Sequence, residues 1–395
     1  MRLARIEVST DQTLPHPQEH EGALIGPETV CTIRAGRFHE LDSMRGIAAL
    51  IVLFHHFAHM YYPAVILGTS WRTALLYPFI AGHESVMFFF LLSGFVLALP
   101  FLGGRSQPYP IFLWRRILRI YGPYLMALAL AVAGCSIWHN RLGASGWAAG
   151  TWNAPVDFRL VAEHILFIGN YNYSQFNTAF WSLVYEMRIS IIYPLLFLAA
   201  NRLRLRYVLL LILLLTIVGA EMSGSQTWIT LEYAGTFLIG ILLAKHRTDL
   251  TRLYRRISVW QRVVFAVAAL LLYNEGHLLS AYGPIWHLGS MPVVLGAAGF
   301  IIIGLNSTAT SNVLHSAVPA FLGRISYSLY LVHGTVLFAM AAMLRGKVSP
   351  PEFLLLYLPT AIFLSWGFYC VVEAPFTRAS RNVGRRVAES TVIKS

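Results

Sequence analysis

Charge is scarce in this chain. Only 12% of its residues are charged and 56% are hydrophobic, against roughly 25% charged in an ordinary soluble domain. That scarcity excludes a soluble globular protein, and several apolar runs approach the ~20 residues that cross a bilayer. A polytopic membrane protein with one membrane domain is expected. Cysteine is nearly as rare. Cys31, Cys135 and Cys370 are scattered without redox or metal-ligand spacing, so neither a disulfide framework nor a metal site is expected. No basic start runs directly into an apolar core, which argues against a cleavable signal peptide. No fixed-period repeat is visible, and no soluble domain follows the last apolar run. The formal net charge of +12 raises the question of a nucleic-acid partner. The arginines answer it, because they cluster in short loops between apolar runs, as cytoplasmic loops of membrane proteins do.

Ten helices are predicted, over 44–64, 84–101, 120–138, 181–200, 207–224, 228–244, 260–276, 286–304, 326–344 and 353–373. With the N-terminus inside, the inner loops hold Arg105, Arg115, Arg116 and Arg119, then Arg202, Arg204 and Arg206, then Lys245, Arg247, Arg252, Arg255 and Arg256. The C-terminal segment adds Arg378, Arg381, Arg385 and Arg386, whereas the outer loops hold Arg72 and nothing basic near residues 225 and 280. This positive-inside asymmetry predicts an all-α polytopic membrane protein of about ten spans with both termini cytoplasmic. Residues 1–40, polar and proline-containing, read as a poorly ordered cytoplasmic tail. The membrane domain then covers 41–378 and a basic cytoplasmic tail covers 379–395. Within 139–180 the apolar piece 160–168 is broken by Glu163 and His164. It is too short and polar to cross, so an outer loop with an interfacial or re-entrant helix is expected.

Arg45 and His56 stand eleven residues apart in the first apolar run. That is close to three helical turns, so they share a face and lie about 16 Å apart along the axis. A cation then marks one surface while an imidazole stands in the hydrocarbon layer, where ionisable groups are costly and mark function by default. The ordinary alternative is a histidine bonded to a neighbouring helix and an arginine that marks the cytoplasmic edge. A second feature is Trp181-Ser182-Leu183-Val184-Tyr185-Glu186. Glu186 falls about 9 Å from the outer end of its helix, and His56 roughly 12 Å from the outside of a ~30 Å core. Matched depths allow a general-base pair in which Glu186 orients His56. The alternatives are a pair that only fixes helix packing, or a Glu186 that pairs with Arg188.

Four ordered segments carry a resemblance. They are Leu41-Asp42-Ser43-Met44-Arg45-Gly46 with His56; Gly82-His83 and Val86 to Phe95 with Trp114-Arg115-Arg116-Ile117-Leu118-Arg119 and Pro123; Trp181-Ser182-Leu183 with Glu186 and Pro194; and Gly323 to His333, closed by Glu373-Ala374-Pro375-Phe376. Over residues 40 to 378 the chain resembles acyltransferase family 3, the integral-membrane acyltransferases that modify surface polysaccharides and other acceptors. The resemblance implies ten helices and an acyl-CoA donor, acetyl-CoA foremost, on the cytoplasmic side. It also makes Arg45 and His56 motif positions. Arg115, Arg116 and Arg119 neighbour one another at helical spacing and suit CoA phosphates, although surface charge alone also explains them. His56 with Glu186 would then deprotonate an acceptor hydroxyl, either in direct transfer or through an acyl-histidine. Where many members carry an aromatic pair after the glutamate, this chain has Ile189-Ser190, which leaves the acceptor open.

The expected function is therefore O-acylation, most simply O-acetylation, of an extracytoplasmic glycan by a multi-pass protein of the bacterial inner membrane. A small or lipophilic acceptor is the alternative. The loop 139–180, rich in Trp, Tyr and Asn, suits sugars and an interfacial belt alike. An ion-coupled transporter would also place His, Glu and Arg in the membrane, but no second copy of either motif is visible. A noncatalytic scaffold would need no such pair. His55, His59, His333, Tyr327, Tyr330 and Ser93-Gly94 are assigned to packing and hydrogen bonding, with His333 placed near the inner end of the ninth helix. Ser182 is not expected to be a nucleophile.

Overall fold

The computed structural model describes residues 38–67, 76–104, 108–142, 146–167, 171–222, 224–274 and 289–392, with side chains described to residue 384. Arg72, Arg105, Cys31, the loop near residue 280, nearly all of the 1–40 tail and the side chains of Arg385 and Arg386 lie outside the described residues. Fifteen helices follow in order: α1 (His39–Tyr61), α2 (Pro63–Leu67), α3 (Gly82–Leu102), α4 (Tyr109–Trp138), α5 (Phe158–Leu166), α6 (Trp181–Arg202), α7 (Leu205–Glu221), α8 (Gln226–Lys245), α9 (Arg247–Arg256), α10 (Val259–Tyr273), α11 (Met291–Asn306), α12 (Thr308–Leu314), α13 (Ala317–Leu344), α14 (Pro350–Phe368) and α15 (Ala374–Val392). Among the described residues there is no strand. The chain is an all-helical polytopic membrane protein.

Each of the ten expected segments contains a helix. Seven are long and apolar enough to cross a membrane, and α11 with α12, bent by 90° at their junction, counts as an eighth if the pair is one span. Helices α7 and α10, at 17 and 15 residues, fall short of that length. Caps explain several starts. Ser258 and Ser349 each form a capping box, with Gln261 and Glu352, which satisfies the first free backbone N–H groups. The prolines Pro350 and Pro351 occupy the first turn of α14, where no N–H is needed.

The pair α1 and α13 is the axis of the bundle. Their backbones meet at Gly46 and Gly323: a Cβ on Gly46 would lie 2.3 Å from Gly323 N, and one on Gly323 would lie 2.6 Å from Asp42 O. Only glycine permits this approach. Two equal steps of ten residues then lead from these glycines to His56 and to His333, so the two helices run parallel and bring the two rings together. The pair α3 and α8 repeats the device at Gly94 and Gly240, each without room for a Cβ against the other backbone. The expectation of close packing at Gly94 holds, whereas Ser93 turns to a carboxylate described below.

Two π-helical turns interrupt otherwise continuous helices, at Ile117–Tyr121 within α4 and at Tyr369–Glu373 between α14 and α15. Each ends two residues before a proline, Pro123 and Pro375. A proline ring clashes with the carbonyl four residues earlier and takes no N–H bond, and a wider turn relieves both problems. The chain just after each turn meets the other: a Cβ on Gly122 would lie 2.5 Å from the Phe376 ring. The segment read as a tail from residue 379 continues as helix α15 to Val392.

The described residues between 139 and 180 form a packed cap rather than a span. Its α5 has nine residues, capped by Asp157. Trp152, wholly buried, donates to Phe176 O, and Arg188 of α6 donates to Phe167 O and Gln226 O. His164 is buried among Leu160 O and Tyr173 O; burial outweighs these acceptors and lowers its pKa below the ordinary imidazole range.

Candidate active site

His56 is buried on α1, and its partner is His333 of α13. The Nδ1 of His56 lies 2.8 Å from Nε2 of His333, with the rings stacked at 5.0 Å between centroids. The proton positions follow from the far side of the pair. His333 Nδ1 lies 2.8 Å from Leu329 O, and a carbonyl can only accept, so that nitrogen carries the proton. A neutral His333 then offers Nε2 as an acceptor, and His56 must donate from Nδ1. The Nε2 of His56 is left with a bare lone pair and no hydrogen-bond partner among the described residues. Trp147, from the cap, covers the ring at 4.8 Å and reaches His59 at 5.3 Å. A neutral imidazole held in one tautomer with Nε2 free is equipped to take a proton.

Glu186 does not orient His56. Its Oε1 accepts from Arg116 Nη2 at 2.9 Å and from Ser93 Oγ at 3.0 Å. Arg116 Nε donates to Ser190 Oγ at 3.1 Å, and Ser190 Oγ to Glu186 O. The depths of Glu186 and His56 agree, each five residues from the Trp181 and Tyr61 ends of α6 and α1. Their azimuths differ, because α1 faces α13 there while α6 turns Glu186 toward α3 and α4. Arg188 is no partner either, being committed to the cap.

A cavity of about 340 Å³ runs from Glu186, Arg116 and Ser93 toward one end of the bundle. That is the scale of a small-molecule site. Six guanidinium groups, those of Arg45, Arg116, Arg119, Arg324, Arg378 and Arg381, line it beside three carboxylates, Asp42, Glu186 and Glu373, for a net charge of +3. Glu373 is held by the backbone and hydroxyl of Ser328, and Arg45 faces Asp42 at 3.6 Å. At its deep end the cavity closes on Ser182, Glu186 and Tyr330, one helical turn of α13 before His333.

Of the four arginines expected to bind a donor, Arg45, Arg116 and Arg119 line this cavity. Arg115 does not. The π-helical turn rotates Arg119 away from the face of Arg115, whose guanidinium packs at the Gly384 position of α15 while Ser380 Oγ donates to its carbonyl. His333 stands deeper than expected, because α13 begins at Ala317 rather than 326. A matching glycine ten residues before each histidine was the signal that could have paired His333 with His56. Asn177 and Tyr357 went unremarked in the sequence. Asn177 Nδ2 donates to Leu331 O and Thr335 Oγ1 on either side of His333, and Tyr357 donates to the His333 carbonyl. Among the described residues no group of His, Cys, Asp or Glu is arranged to hold a metal.

A base close beyond the end of a cation-lined cavity suits group transfer, and comparison with known proteins finds acyltransferases. A family model for an acyltransferase domain, that of acyltransferase family 3, matches residues 38–370. The chain is also 25% identical over 389 residues to acyltransferase MdmB of Streptomyces mycarofaciens, covering 89% of this chain and 94% of that protein. No solved structure matches. With the arginine–histidine motif, the cavity and the family match in agreement, the chain belongs to acyltransferase family 3.

Proposed function

We propose that this membrane acyltransferase moves an acyl group, acetyl foremost, from acyl-CoA on the cytoplasmic side to a hydroxyl of an extracytoplasmic glycan, across an inner membrane spanned ten times with both termini inside. One observation carries this reading: a cavity with a formal net charge of +3 ends at Tyr330, one helical turn of α13 before a histidine pair in which His56 Nε2 is free. Guanidinium groups suit the donor's phosphates through paired, charge-assisted hydrogen bonds. The pantetheine arm would follow the cavity past Arg116 and Ser93 and bring the thioester to Tyr330 and the histidines. His56 Nε2 takes the acceptor's proton as the hydroxyl oxygen attacks, the C–O bond forms, and the C–S bond breaks with the sulfur leaving into the cavity. His333 holds the tautomer that makes this possible. Glu186 fixes Arg116 and the cavity wall rather than the base.

Trp147 beside His56 favours a sugar, whose C–H face stacks on indole. The experiment uses inside-out vesicles carrying the wild type or His56→Ala. Labelled acetyl-CoA is supplied outside, with an envelope glycan fraction or a set of small hydroxylated molecules within. Label on glycan with the wild type alone is the expected result. Label on the small acceptors alone would move the acceptor class, and label transferred by His56→Ala would remove that histidine from the chemistry.

A further inference from the structure

The deep end of the cavity is closed by two hydroxyl groups with more contacts than hydrogens. Ser182 Oγ and Tyr330 Oη lie 2.6 Å apart, and each also lies within reach of Ala179 O, at 3.3 and 3.0 Å. Two hydroxyl hydrogens cannot fill three such contacts, because a carbonyl only accepts. Either Tyr330 donates to Ala179 and Ser182 to Tyr330, or Ser182 donates to Ala179 and Tyr330 to Ser182. Both arrangements are complete, and rotation about two C–O bonds interconverts them. Both residues are buried and both face the cavity, so the pair is a poised donor at the place where the cavity stops.

We propose that Tyr330 is the acid that protonates the departing CoA sulfur, with Ser182 supporting it; this rests on the donor assignment under Proposed function. The direction of the reaction selects the role. His56 takes the proton of the attacking hydroxyl on its own side of His333. The sulfur leaves the opposite way, into the cavity, and Tyr330 is the group that closes that side, three residues before His333 on the same helix. As the C–S bond breaks, the Tyr330 O–H proton passes to sulfur and CoA departs as the thiol. Ser182 O–H then donates to the phenolate left behind. The charge balance closes when water admitted to the emptied cavity returns a proton to Tyr330 and the imidazolium of His56 releases the one it took. Neither half of the pair has to move far, because the Tyr330 ring is wedged between Phe89 at 5.5 Å and His333 at 6.1 Å.

The test compares two donors with the same handle, acetyl-CoA and its selenium analogue, whose selenolate leaves readily as an anion. In reconstituted protein, Tyr330→Phe keeps the ring and its packing. It is expected to lower kcat with acetyl-CoA by about 100-fold, the lower range for a general acid, with KM unchanged. With the selenium donor the loss is expected to stay under about tenfold, because that leaving group needs no proton. Ser182→Ala is expected to show the same donor bias at smaller size, and the double variant to be no worse than Tyr330→Phe. Equal losses with both donors, or no loss with acetyl-CoA, would overturn the role of Tyr330. Retained transfer by His56→Ala is a separate failure, that of the parent reading, and it is read in the same assay.

Discussion

The two ends of this bundle solve opposite problems. At the arginine end the helices leave space and line it with unlike and like charges, six guanidinium groups against three carboxylates. At the histidine end they pack the side chains closely: His56, His333, Trp152 and Asn177 are buried, and their hydrogen bonds are made within the protein. The first arrangement is what a flexible anionic ligand requires, since guanidinium groups hold phosphate while open space admits it. The second is what a base requires, since a proton acceptor must be held in one tautomer and kept from random partners. The proposed binding and proton-transfer groups thus lie apart along α1 and α13, and the Gly46–Gly323 contact fixes the register of both.

The strongest way to break that division is at Glu186. Glu186→Ala leaves Arg116 buried without its counter-charge, which typically costs about 3–5 kcal/mol. A marked fall in the thermal midpoint of the detergent-solubilised protein is expected, whereas Glu186→Gln, which keeps an acceptor for Arg116, is expected to fall less. If Glu186 instead acted on His56, Glu186→Gln would lose turnover while keeping its stability. A matched pair of substitutions sharpens the same contrast. Arg119→Ala removes one of the proposed phosphate contacts and is expected to raise KM for acyl-CoA by about tenfold, the equivalent of a charge-assisted hydrogen bond of roughly 1.5 kcal/mol, with kcat little changed. His333→Phe keeps the stack but leaves His56 Nδ1 without its acceptor, and is expected to lower kcat with KM little changed. Steady-state kinetics on the two variants decides it, and a reversed pattern would merge the two ends.

The smallest effect belongs to the cap. Burial holds the pKa of His164 below its ordinary value, so the folded state binds a proton there less readily than the unfolded chain. Its contribution to stability is complete above the ordinary imidazole pKa and is lost as the pH falls below it toward the folded value. The wild type is expected to lose thermal stability as the pH falls below the ordinary imidazole pKa of about 6.5, and His164→Gln to flatten part of that slope.

Much of this was legible before the structure. The spacing of Arg45 and His56, the depth of Glu186 and the helical segments all follow from hydropathy and helical period. Rotation about each helix axis does not. Hydropathy places Glu186 and His56 at one level but does not show that α1 turns its histidine to α13 while Glu186 meets Arg116. Arg324 and the polar residues around it disguise the first turns of α13, so His333 stands deeper than hydropathy indicates. Regular helical spacing groups Arg115 with Arg116 and Arg119, and the π-helical turn at Ile117–Tyr121 breaks that spacing. The proline that widens that turn was visible, although its consequence for side-chain direction depends on how the neighbouring helices pack.

The central claim is that His56 performs the chemistry and takes no part in holding the donor. Its most direct test measures both quantities on one preparation: CoA binding and acyl transfer by His56→Ala and wild type in the same nanodiscs. Wild-type binding with transfer lowered by at least about 100-fold, the scale of a lost general base, is the expected result. Weakened binding in step with transfer, or transfer retained, would contradict the division between the two ends.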